Sequence, residues 1–140
     1  MPTIGVPNKV WRGGVHRTTP ETTEKIIATA AARLPGCVVK LDGTGAVPGL
    51  PVYVWGEQLH GGIDDVPVAT DTQRLYNTHS GDLFTGRAAA GVTVGEDVPY
   101  SVNATGRLVA LVVDTVPVCF GDAGFAGVTT ADQRIAIKFK

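Results

Sequence analysis

The chain has 140 residues, 44% apolar and 18% charged, with a net charge of −1. That length suits one domain able to bury a core without staples. The balance excludes a general nucleic-acid signal and a disordered chain, and no apolar run approaches the ~20 residues that span a membrane as a helix. Eighteen Gly and nine Pro punctuate short apolar runs, and the charged share is below the usual ~25%, which points to surface meant to be covered by partners.

Charge is unevenly spread. Residues 1–40 carry net +4, residues 41–100 net −6, and residues 101–140 net +1. A basic start before an acidic body suits association through complementary charge, and chance scatter gives the same pattern. The start, "MPTIGVPNKV", lacks the apolar core of a signal peptide, so synthesis in the cytoplasm is expected.

Residues 1–18 read as an extended N-terminal arm, because Pro2, Gly5, Pro7 and Gly13–Gly14 oppose regular helix. Trp11 between Lys9 and Arg12 has the make-up of an interface anchor; a disordered tail is the alternative. Residues 19–140 then form a single β domain. Within it, 19–34 ("TPETTEKIIATAAARL") is the one candidate helix, with Thr19 as cap and Pro20 at the first turn. Its β-branched Thr22, Thr23, Ile26, Ile27 and Thr29 fit a strand equally well.

From Cys37 onward short strands alternate with turns: "CVVKL", "PVYVW", "PVAT", "DLFTG", "AAGVTV", "VPYSV", "RLVALVV", "VPVCF" and "RIAIKFK". Strands at this spacing predict an all-β, jelly-roll-like sandwich or barrel. Leu108–Val113 lacks polar alternation and is expected as a central strand buried on both faces. Arg134–Lys140 alternates, with Ile135, Ile137 and Phe139 inward and Arg134, Lys138 and Lys140 outward, which predicts a protected edge strand. Cys37 and Cys119 sit in apolar runs as buried hydrophobes, with a disulfide left open.

The chemistry-bearing residues are scattered. His79, Ser80 and Asp82 sit in a turn-like "HSGD", where neighbouring side chains diverge too far for a nucleophile and its base. Asp64, Asp65 and His60 read as a solvated loop rather than a metal site. "GDAGFAG" lacks dinucleotide-binding spacing, and "NAT" at Asn103–Thr105 is a turn. Tyr53, Trp55 and Tyr76 suit either a sugar-binding platform or core. "GGIDDV" is similar to a stretch of trimeric β-barrel nucleotide hydrolases, whose Arg-Ser-Gly motif and glycine-rich C-terminal arm are missing here.

Two stretches carry a broader resemblance. "ARLPGCVVKLDGTG" (Ala32–Gly45) places a Pro-Gly turn before an apolar strand and an Asp-Gly turn. "YNTHSGDLFTGRAAAGVTVGEDVPYSVNATGRLVAL" (Tyr76–Leu111) runs from a Gly-Asp turn through a small-residue strand and a Val-Gly-Glu-Asp turn to a Thr-Gly-Arg-Leu turn. Their order resembles the small capsid cement, or decoration, proteins of tailed double-stranded DNA bacteriophages, over about half of the chain.

The resemblance implies a jelly-roll-like domain on the outer surface of the virion. There it would clamp major capsid protein subunits, pairing as a homodimer across local two-fold axes. It carries over no catalytic residue, cofactor or metal, and neither nucleic acid nor membrane is an expected partner. Lys9, Trp11, Arg12, His16, Arg17, Arg134, Lys138 and Lys140 are the expected capsid or dimer contacts. The competing expectation is a carbohydrate- or receptor-binding β module of a phage particle.

Overall fold

A computed structural model describes residues 9–14, 18–26, 33–57, 63, 72–123 and 126–140. The strands are β1 (Trp11–Gly14), β2 (Thr22–Ile26), β3 (Val38–Val39), β4 (Tyr53–Trp55), β5 (Thr72–Asn77) and β6 (Asp82–Ala88), followed by β7 (Thr93–Val94), β8 (Pro99–Val102), β9 (Leu108–Ala110), β10 (Cys119–Gly121), β11 (Gly127–Val128) and β12 (Gln133–Lys138). No helix occurs among the described residues, and the all-β class holds in its barrel form.

Strands β6, β12, β10, β8 and β9 close a five-strand barrel, because β9 pairs back onto β6. A ring with an odd number of strands cannot alternate direction all the way round. One parallel pairing is therefore required, and it falls at Ala88↔Leu108. Gly86 makes room beside this seam: a Cβ there would lie 2.9 Å from side-chain atoms of both Leu108 and Ile137.

A four-strand sheet in the order β2–β5–β4–β3 lies against the barrel, and β7 and β11 form a small separate ribbon. Alternation divides the four-strand sheet between two cores. Val38, Val54 and Tyr76 join the main core with Phe84, Leu108, Ile135 and Ile137. Cys37, Val39, Trp55 and Leu75 form a second cluster on the opposite face. Phe84 links the layers through Trp11, Tyr76 and Phe139, at ring-centre distances of 5.3, 5.8 and 5.7 Å.

Three expectations are corrected here. Residues 22–26 form a strand on β5 rather than part of a helix, as the β-branched Thr22, Thr23 and Ile26 allow; residues 27–32 lie outside the described residues. Arg134–Lys140 is not an edge, since β12 lies between β6 and β10. Alternation reports which face a side chain takes, not how many neighbours the strand has, and here the outward face is the outside of a barrel. Leu108–Val113 is not a doubly buried strand. Pairing stops at Ala110, and Val112 and Val113 are exposed. Asp114 turns there with φ 64°, while the Thr115 amide and hydroxyl both donate to the Val112 carbonyl.

Part of the expected arm belongs to the barrel. β1 pairs with β6, and Val10 is fully buried in the main core. Both cysteines are buried free thiols in different clusters, and burial pushes the Cys37 thiol up to about 11 and the Cys119 thiol higher still.

Arg87, almost wholly buried on β6, ties the layers together. Its guanidinium donates to the carbonyls of Pro35 (2.8 Å), Asp132 (2.9 Å) and Ile63. R87M is expected to leave these carbonyls unsatisfied and to cost about 3 kcal/mol or more in urea unfolding. Gly45 tests the same docking from the loop side, because a Cβ there would lie 1.8 Å from the Asn103 carbonyl oxygen. G45A should cost more than ~2 kcal/mol, whereas G49A, with φ +89° and open space around it, should cost only ~1 kcal/mol for backbone strain.

Candidate docking surface

Most of the described cationic contact residues point back into their own chain. Arg12 Nη1 binds Asp122 Oδ2 at 2.9 Å, with both side chains largely buried. Trp11 packs edge-on against Phe84. Lys138 and Lys140 converge on Asp97 Oδ1 at 2.7 and 3.2 Å, and the Lys140 ammonium also stands 4.3 Å from the Phe120 ring centre. Lys9 is exposed, its carbonyl held by the Thr85 hydroxyl, and Arg134 is half-buried opposite Arg87. His16 and Arg17 lie outside the described residues.

The other candidate motifs are turns or fall outside the described residues. In "HSGD" the His79 amide donates to the Asp82 carboxylate, while the His79 ring faces Glu21 at 3.2 Å rather than Ser80. The Asn103 side-chain oxygen accepts from the Thr105 amide and hydroxyl and from the Arg107 amide, closing the "NAT" turn. His60, Asp64 and Asp65 lie outside the described residues, as do two residues of "GDAGFAG". Among the described residues no group of three or more His, Cys, Asp or Glu is placed to hold a metal ion.

The surface that stands out is apolar. The loop after β9 presents Val113 at 82% and Val116 at 66% exposure. It is a built turn rather than a frayed strand end, since the Val112 amide donates to the Ser101 hydroxyl and Thr115 closes onto Val112. Beside it runs a groove of about 180 Å³ lined by Val47, Pro48, Val102, Val112 and Val118 among others. The loop 46–51 separates this groove from a second of about 420 Å³, where Leu41, Leu50, Pro51 and Tyr53 meet Lys40 and Asp42. Segments 46–51 and 111–118 carry one charge between them, Asp114.

A low-charge apolar surface held on ordered loops is a feature of binding sites for proteins and other ligands. Sequence reasoning placed the expected contacts on Trp11, His16 and the basic residues and did not single out these valines. The available signal was Asp114–Thr115 and Pro117 inside an apolar run, which is turn chemistry. Of the three aromatics proposed as a sugar platform, Trp55 is fully buried and Tyr76 is in the main core, on the other face of the sheet; Tyr53 lines a groove.

No protein-family model matches the chain, and no curated protein is similar enough to count as a relative.

The Asp97 cluster gives a pH prediction. Hydrogen bonds from Lys138 and Lys140 hold the Asp97 carboxyl below its ordinary value, and the bond to Asp97 raises Lys138. The carboxylate's contribution is therefore present above its unfolded value and is lost as pH falls through the lowered one. The Lys138 contribution is present below its unfolded value and is lost as pH rises through the raised one. D97N, which tolerates the φ of 62°, should be slightly less stable than the parent near neutrality, where both contributions are present, and should converge with it at both pH extremes, so that its stability varies less with pH. Thermal melts between about pH 2 and pH 12 test this.

Proposed function

We propose that this chain is a non-enzymatic capsid cement protein, bound to the outside of a tailed-phage shell and clamping major capsid subunits together. The observation that carries the reading is the turn that holds Val113 and Val116 outward beside the Val47–Pro48 groove. The order of turns shared with the cement proteins supports it. So does the barrel, whose cross-strand pairing and central core suit a rigid clamp.

Cementing works by linkage. A protein that binds only the assembled shell stabilises it, by ~2.7 kcal/mol per site when free protein is at ~100 times Kd. Many copies on one particle add by avidity, so each contact can be modest in size. An apolar contact suits the task, because it holds at the salt concentrations that screen surface ion pairs. Pairing of two copies across a two-fold axis belongs to the same proposal.

Co-sedimentation with phage heads lacking the protein tests the reading. Saturable binding to expanded shells with a raised shell melting temperature is expected, and a dimer mass by light scattering supports the two-fold arrangement. The double variant V113D/V116D should weaken shell binding at least ~10-fold while its own Tm stays within ~2 °C, since neither valine packs in the core. If the folded parent protein binds no shell, the proposal is wrong.

A further inference from the structure

The groove over Tyr53 continues past Pro51 into a third hollow of about 150 Å³, whose lining includes Glu21, Asn77, Thr78 and His79. Pro51 and Tyr53 line both, so the two form one trough with an apolar, aromatic middle and polar ends. We propose that this trough binds a neutral oligosaccharide, with a sugar ring stacked on Tyr53 and hydroxyls read by Glu21, Asn77 and His79.

The backbone beneath the trough is already committed. Tyr53 pairs with Val39 on one side and Asn77 on the other, so an added peptide strand finds no open ladder there. Recognition must therefore come from side chains. Those at one end are planar and mutually fixed. Asn77 Nδ2 donates to Glu21 Oε1 at 2.7 Å, His79 Nε2 lies 3.2 Å from the same oxygen, and the Thr23 hydroxyl donates to Asn77 Oδ1 at 2.8 Å.

The Glu21 and His79 side chains are about half exposed, so they face a ligand as well as each other. An amide, a carboxylate and an imidazole together accept from and donate to hydroxyls. A pyranose offers the matching pair of features, an apolar C–H face for the ring and hydroxyls around its rim.

Size and charge narrow the class. The larger hollow alone falls within the ~300–1,000 Å³ of ordinary ligand sites, and the smaller one extends it. Groups of both signs line the trough, Lys40 with Asp42 in the larger hollow and Glu21 beside His79 in the smaller, a mixed lining that suits a neutral ligand better than a strongly charged one. Among the described residues the trough shares no lining residue with the Val112–Val118 groove, so sugar binding and shell docking are separable on one molecule.

The test uses the full chain on a printed array of neutral glycans. The strongest ligand found is then titrated to about 10 mM into isotope-labelled protein. Expected are array binding, and chemical-shift changes centred on Tyr53, Asn77 and His79. H79A, at an exposed position, should weaken the ligand at least ~10-fold with an unchanged melt; Y53A, whose ring also packs against the second cluster, should weaken it as much with a lowered melt; V113D/V116D should keep parental affinity. No array signal above the heat-denatured control overturns the proposal. So do shifts that map elsewhere, or a trough that takes apolar peptides and no sugar. These results are independent of shell binding, so either proposal can fail alone.

Discussion

A buried arginine holds this fold together. Arg87 lies on β6, the strand that pairs with β1, β9 and β12, and its guanidinium reaches three carbonyls from three different segments. Burying a cation costs several kcal/mol unless its donors are satisfied, and the flanking carbonyls lose water at the same time. Each side thus needs the other. The Gly36 carbonyl also accepts from the Arg87 amide, and a Cβ at Gly36 would meet the Thr85 carbonyl at 3.0 Å. The loop before β3 therefore sits directly on the barrel wall, and with the shared main core it joins the four-strand sheet to the barrel.

Closure has a second consequence. The parallel seam between β6 and β9 has one register pair, extended by the Ala89 amide donating to the Leu108 carbonyl. It is the shortest pairing in the ring, and β9 leaves it after Ala110. The loop that follows is thus free of the ladder, and it takes its shape from Asp114, Thr115 and Ser101 instead. The chain that closes the barrel also delivers the exposed valines.

Strand positions and turns were legible because they depend on local chemistry. Gly43, Gly81 and Gly106 all take positive φ at predicted breaks, and Ile135, Ile137 and Phe139 share the inner face as their spacing indicates. What was not legible depends on tertiary partners. Thr22–Ile26 has both helical and extended character, and the unpaired side of β5 decided between them. Lys138 and Lys140 look like a solvated cationic row until Asp97, some forty residues earlier in the chain, turns up beneath them. Nothing in "RLVALVV" separates Leu108 in the core from Val113 in solvent, because both are aliphatic and periodicity is silent in an unbroken run.

The candidate contact surface follows from how the two kinds of surface residue are used. Arg12, Lys138 and Lys140 meet carboxylates of their own chain, so their charges are partly neutralised before any partner arrives. A partner that took them over would have to replace those bonds, and exchange of one ion pair for another yields little net free energy. Val113 and Val116 have no such internal claim. Their exposed area is hydrated in the free protein, and covering it releases that water at ~25 cal/mol per Å² without breaking anything. Removing them should leave folding almost untouched, so stability gives no reason for their place on an ordered turn, whereas the proposed contact does. The same reasoning moves the expected interface from the basic N-terminal segment to the loops that flank the barrel seam.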